Sequence, residues 1–286
     1  MKNVNAKVMA AAIVVVLALS LGGYLYSNSG TRDKDRAPTP PAAGEAAQAT
    51  PSDASAKYPI SNIDEPQGKI KSTSSEGETP SAPQEAPPPR GDARGDASDS
   101  PFLDEVSALI GAERVAAIIN PQDLIRHIVI SVENSGGRQL PQQFSPFKPL
   151  ESQFEVSGDA DTPNLSPSNF TRYSAVMDVI KSSNLTNLLK IYRRYYPLFQ
   201  AAYHEVGMKG YFNDRVVQVI DSLIDTPNVE GPIKLILEGN HYKFAESRLE
   251  ALTGAQKVLV RIGPENEALI KDRLREVRRI LTRARG

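Results

Sequence analysis

The sequence predicts a mainly α domain with one small antiparallel β-hairpin, an α+β fold, behind a single-pass N-terminal transmembrane helix and a disordered linker. Three observations carry this expectation. Apolar residues recur at three- and four-residue steps through most of 101–286, the period of helices with one buried face. Two alternating runs flank Gly239-Asn240, which is a hairpin signal. Residues 27–100 are Pro, Ala, Gly, Ser, Thr and charged side chains with almost no large apolar ones, so no core can form there.

In chain order, Val8 to Tyr26 is an apolar run without charge, long enough as a helix to cross a hydrocarbon core of about 30 Å. A cleaved signal peptide ending near Ala18-Leu19-Ser20 is the rival reading, but the run exceeds an h-region of about 7 to 15 residues. Lys2 and Lys7 precede the run, while Arg32, Lys34 and Arg36 follow it diluted by Asp33 and Asp35. The balance leans toward a cytoplasmic N-terminus, a bacterial inner-membrane anchor over residues 8–26 and a periplasmic C-terminal part. The expected division is 1–26 tip and anchor, 27–100 linker and 101–286 globular domain. One island in the linker, Lys57 to Pro66, carries Tyr58, Ile60 and Ile63 and has the character of a linear binding motif.

The folded part opens near Pro101, with Phe102, Val106, Leu109 and Ile110 on one face of a helix that ends at Gly111. Asn120-Pro121-Gln122-Asp123 reads as a helix start with Pro at the first helical position. The run 124–134 fits helix or strand, and the Ser135-Gly136 stop favours helix. Residues 139–167 are mostly loop. A helix follows with Val176, Val179 and Ile180. The long apolar face from Leu185 to Val206 contains Pro197, which should kink or break that helix near Tyr196. Gly207 suits its C-terminal cap. Asn213 is expected as the N-cap of the next helix, with Phe212 and Val217 as a hydrophobic staple, and Asp225-Thr226-Pro227 as the stop. Thr253 with Gln256 makes a capping box, and Gly263-Pro264 separates that helix from a last one with Ile270, Leu274, Val277 and Leu281 buried.

Composition narrows the functional classes. The 286 residues carry a net charge of −1, which gives no whole-chain attraction to nucleic acid, and the absence of cysteine removes disulfides and thiolate chemistry. No nucleic-acid partner is expected. The cationic last helix (Lys271, Arg273, Arg275, Arg278, Arg279, Arg283, Arg285) has no interleaved aromatics and reads as a solvated face.

Ordered runs through the folded part resemble a known family. They are Phe170 to Tyr173 (FTRY), Tyr195 to Tyr203 (YYPLFQAAY), Phe212 to Arg215 (FNDR), Val219 to Asp221 with Thr226-Pro227, Leu249 to Leu252 (LEAL) and Gln256 to Asn266 (QKVLVRIGPEN). Together they resemble the bacterial domain of unknown function family 3014, over about 101–281. The resemblance implies a membrane-anchored or secreted bacterial protein and supplies no catalytic residue.

Candidates for chemistry are sparse. His204 and Glu205 begin like a zinc-protease motif, but the second histidine position is Met208, and His127, His204 and His241 lack ligand spacing. No cofactor, metal site or catalytic residue is assigned. A carboxylate hydrolase would need two of Glu205, Asp214, Asp221 and Glu250 facing one cleft. The reading adopted is an interaction or scaffold module of the cell envelope, taking an envelope protein or an anionic envelope polymer, with an envelope hydrolase using carboxylates as the alternative. Its expected binding residues cluster at helix ends: Arg172, Tyr173, Asn213, Asp214, Arg215, Lys257, Arg261 and Asn266. The alternative is that these residues cap helices and pair with one another.

Overall fold

The computed structural model describes residues 56–60 and 99–282, apart from Gln139, Glu151 and Ala160. Helices α1 (Asp99–Ile110), α2 (Ala112–Ile118) and α3 (Leu124–Asn134) come first, followed by a 3₁₀ turn over Gln142–Phe144. A minimal antiparallel pair, β1 (Val156–Ser157) with β2 (Asn164–Leu165), precedes a 3₁₀ segment, Pro167–Tyr173, that runs into α4 (Ser174–Ser182). Then come α5 (Leu185–Glu205), α6 (Phe212–Ile224), the hairpin β3 (Leu235–Glu238) and β4 (His241–Phe244), a one-turn α7 (Ser247–Glu250), α8 (Gly254–Arg261) and α9 (Pro264–Leu281).

The core is built on α5, whose apolar face is buried from Leu185 to Tyr203 against α1, α3 and α6. Phe199 sits at its centre, stacked on Phe212 with ring planes 4° apart and edge-on to Phe102. Burial of side chains of this size stabilises by roughly 1.5–3 kcal/mol each. A second, smaller cluster of Leu165, Leu235, Phe244, Leu249 and Val260 lies under the hairpin. The last helix buries Ile270, Leu274, Val277 and Leu281, as its spacing predicts.

Local signals act where polar backbone must be satisfied. At the end of α5, Gly207 has φ 86°, its amide bonds the His204 carbonyl and the Met208 amide bonds the Tyr203 carbonyl. That pairing is a Schellman cap, and the left-handed residue it needs is the glycine. The Thr253–Gln256 capping box forms in both directions.

Several expectations need correction. Pro197 does not break α5, which runs unbroken over 21 residues because the tyrosines and leucines on both sides of it are locked into the core. Asn213 is not the N-cap of α6. Tyr211 holds that position, Phe212 is the first helical residue, and its amide is taken by the Gln200 side chain of α5 at 2.9 Å. The tight turn brings α5 side chains to the free amides of α6, so the cap is tertiary and the staple is absent. Pro121 does not open α3, since Asp123 is its N-cap, in a left-handed conformation with φ 45°. The β1–β2 pair was not foreseen. Helix α1 begins at Asp99, whose side chain is buried. Part of the linker also belongs to the folded body, because Tyr58 and Ile60 pack against the main core. Lys271 does not lie on a solvated face and is 4% exposed. The apolar run 8–26 lies outside the described residues. Among the described residues no helix is long and apolar enough to cross a membrane.

Candidate functional site

Five of the eight expected binding residues meet in one region. The Phe170 carbonyl accepts from Asn266 Nδ2 at 3.2 Å, which ties the 3₁₀ segment to the first turn of α9. Arg172 reaches the other way. Its Nε and Nη2 donate to the Ser152 hydroxyl and carbonyl at 3.1 and 2.7 Å, and its Nη1 donates to Asn169 Oδ1 at 3.3 Å. Tyr173, 1% exposed, fills the core beside it. Across the same region Lys257 Nζ pairs with Glu250 at 2.8 Å, and Arg261 donates to the Tyr242 carbonyl while its guanidinium stacks 4.5 Å from the Phe244 ring centroid.

Electrostatics follow from that packing. Burial works to raise the Glu250 pKa, but the Lys257 hydrogen bond, the Phe244 amide and the charges of Lys257 and Arg261 outweigh it and hold the carboxyl below its ordinary range. Burial pulls the Arg261 pKa down, opposed by Glu250.

Asn213, Asp214 and Arg215 are elsewhere, at the opposite end of α6 from Ser222, the residue whose carbonyl takes the α8 side chain Gln256. Nine residues of helix separate those ends by about 13 Å. Arg215 bonds the Glu133 carboxylate at 3.1 Å and the Glu133 carbonyl at 2.8 Å, so it clamps the end of α3 to α6. Asp214 accepts the Lys57 and Tyr58 amides at 3.0 and 2.8 Å, and buried Asn213 donates to the Tyr58 carbonyl at 2.7 Å. The eight residues therefore form two groups, each bonded within the fold.

Two clefts border the first group: one of about 550 Å³ runs along Phe170, Val260, Pro264 and Glu267, and the other holds Arg172. The latter encloses about 530 Å³ and is lined by Asn120, Gln142, Gln143, Lys148, Ser152 and Arg172 around an apolar floor of Ile118, Phe147 and Val176. Its wall is held by main chain: Asn120 N bonds the Pro146 carbonyl and Lys148 N the Ile118 carbonyl, both at 2.9 Å. The amides can donate and accept over the apolar floor, while Lys148, whose Nζ donates to the Ala116 carbonyl, and Arg172, bonded to Ser152 and Asn169, lend positive potential from within the fold, so the cleft suits a ligand with both apolar and hydrogen-bonding groups and an anionic end. Sequence reading found only Arg172 of this lining.

Among the described residues no three His, Asp or Glu side chains are grouped so as to hold a metal ion. The four acids named for hydrolysis do not converge: Asp214 caps the 57–58 amides, Asp221 pairs with Arg278, Glu250 with Lys257, and none of the four lines the cleft. A separate cavity of about 30 Å³ inside the core is walled by apolar side chains such as Phe102, Leu188 and Val216, and is of one-water size. The buried pair Glu267–Lys271, 2.6 Å apart, was missed by sequence reading. The signal was available, because both residues fall on the stripe of Ile270 and Leu274.

Fold and site together define a mainly helical α+β domain with a polar cleft beside its clustered helix ends. The family model described as protein of unknown function (DUF3014) matches residues 124–278, more than half of the chain, and the chain belongs to that family. The match runs from the start of α3 into α9. No curated protein and no solved structure matches the chain.

Proposed function

We propose that this protein is a membrane-tethered interaction or scaffold module of the bacterial cell envelope, anchored in the inner membrane through residues 8–26 with its folded part in the periplasm. The observation that carries the binding part of this reading is the cleft of about 530 Å³, where Asn120, Gln142, Gln143, Lys148 and Arg172 rim an apolar floor, a size and a mixture of groups that suit recognition of a small ligand. Lys148 and Arg172 favour an anionic group, as an envelope polymer or an acidic surface on an envelope protein carries. The anchor rests on the uncharged apolar run at Val8 to Tyr26.

The test uses the intact membrane protein. Gln143 is exposed, so Gln143→Trp should fill the cleft without touching the core. Crosslinking in cells followed by purification should give a defined partner or polymer adduct with the native chain and lose it with Gln143→Trp at unchanged melting temperature. An identical adduct pattern in the variant would remove the cleft from the reading. Reporter fusions at Ser100 that show this position in the cytoplasm would remove the periplasmic placement.

A further inference from the structure

The contact between Lys57–Ile60 and the start of α6 has the form of peptide recognition. The two carboxylate oxygens of Asp214 take two successive main-chain amides, and the Asn213 amide returns to the Tyr58 carbonyl. These bonds read a bent backbone, since Lys57 and Tyr58 both lie in a bend of the chain. The next residue is Pro59, which has no amide to satisfy, and Tyr58 and Ile60 supply the apolar contacts. The site has a built polar component, since Asn213 is 1% exposed and its Oδ1 is also engaged, by the Tyr192 hydroxyl at 3.3 Å. With the segment gone, the Asn213 Nδ2 donor would lose its 2.7 Å acceptor and turn to water. The site therefore favours an acceptor of this kind.

The occupant comes from 157 positions earlier in the chain. A contact made by one short segment is weak on its own, and tethering sustains it by supplying an effective concentration in the millimolar range. The same segment on a neighbouring copy presents identical chemistry. Residues 61–98 have a contour of up to about 130 Å, so the covalent connection does not dictate whose site the segment fills. Copies confined to one membrane would reach comparable local concentrations.

We infer that the Asn213–Asp214 end of α6 is a docking site for a short, bent aromatic-proline-aliphatic segment, and that Lys57-Tyr58-Pro59-Ile60 exchanges between its own site and that of a second copy of this chain. The exchange is isologous: each copy gives one segment and receives one. This goes beyond the cleft, from which it is independent.

A labelled peptide spanning residues 56–63 tests the site on the full chain in detergent. Tyr58→Ala, with its own segment disabled, should bind the peptide at least about tenfold more tightly than the native chain, and adding Asp214→Ala should abolish that binding. Exchange is tested by co-reconstituting two complementary copies in vesicles, Tyr58→Ala with an intact site and Asp214→Ala with an intact segment. The chain has no cysteine, so a single Lys57→Cys or Gln218→Cys introduces each dye uniquely. Energy transfer in the mixed pair, and none when either variant is present alone, is the expected result. Absence of peptide binding to Tyr58→Ala, or equal binding to the native chain, overturns the site. Peptide binding without energy transfer overturns exchange, and a melting temperature of Tyr58→Ala far below native overturns both by making the segment a fixed part of the fold.

Discussion

Gly263 lies directly against the ring of Phe170: a methyl group added to it would sit 2.5 Å from Cγ and 2.7 and 2.8 Å from the two Cδ atoms. The glycine also has φ 92°, outside the range other residues prefer, and it forms the break between α8 and α9. Since Asn266 holds the Phe170 carbonyl from the next turn, the ring cannot move away without loosening that bond. Gly263→Ala should therefore cost about 3 kcal/mol or more and lower the melting temperature by about 8 °C or more. Gly207→Ala is the control, with φ 86° but no atom within 4 Å of the new methyl, and should cost about 1–2 kcal/mol. Equal losses for the two in thermal melts would show that backbone strain, not the Phe170 contact, sets the cost.

The Glu267–Lys271 pair is buried on both sides, at 5% side-chain exposure each, and Lys271 also serves the Thr226 carbonyl and Asn228 Oδ1, the latter at 2.7 Å. Removing one charge strands the other. Lys271→Met should cost about 3–5 kcal/mol, and Glu267→Leu combined with Lys271→Met should recover a good part of that loss, because no isolated charge remains. Urea unfolding of the four chains measures the coupling, and strict additivity would refute it.

Two carboxylates make opposite contributions to the pH dependence of stability. Glu250 is held below its ordinary range, so the folded state binds fewer protons there; its stabilisation is present above the unfolded pKa and is lost as pH falls through the folded one. Burial raises Glu267, against the opposing pull of Lys271, so the folded state binds more protons there and stability falls as pH rises from the unfolded pKa through the folded one. Melts from about pH 3 to about pH 7 should show Glu250→Gln with a shallower acid-side loss than native. Glu267→Gln should lack the decline just above the ordinary carboxylate range.

Much of the fold was legible because its signals are local. Thr253 and Gln256 cap α8 from three residues apart, Gly207 needs only its own φ, and the stripe Ile270, Leu274, Val277 and Leu281 declares a buried face by spacing alone. What failed was decided by distant residues. Gln200 took the capping role expected of Asn213 because the α5–α6 turn brings it there. Pro197 stays within a helix because packing on both sides outweighs one missing bond. The cleft was illegible for the same reason: its lining comes from Asn120, Gln143 and Arg172, which no sequence pattern brings together.

Arg215 and Arg261 decide how far the clustered helix ends serve as structure. Arg215 bridges the Glu133 carboxylate and carbonyl at the end of α3 to helix α6, with side-chain exposures of 24% and 28% across the ion pair. Its loss unties two helices of the core and leaves the carbonyl to water. Arg261 gives up a bond to the Tyr242 carbonyl and the face of Phe244, so its loss loosens the hairpin from α8 and takes a neighbouring cation from Glu250. Gln keeps a donor but neither the charge nor the reach of the guanidinium. Arg215→Gln and Arg261→Gln should each cost about 1–3 kcal/mol, and because the residues lie in separate groups the double variant should lose close to the sum. Thermal melts of the three chains measure this. Unchanged melting temperatures together with loss of the crosslinked partner would instead make both arginines part of a binding surface, since a side chain that only recognises a partner leaves the free fold as stable as before.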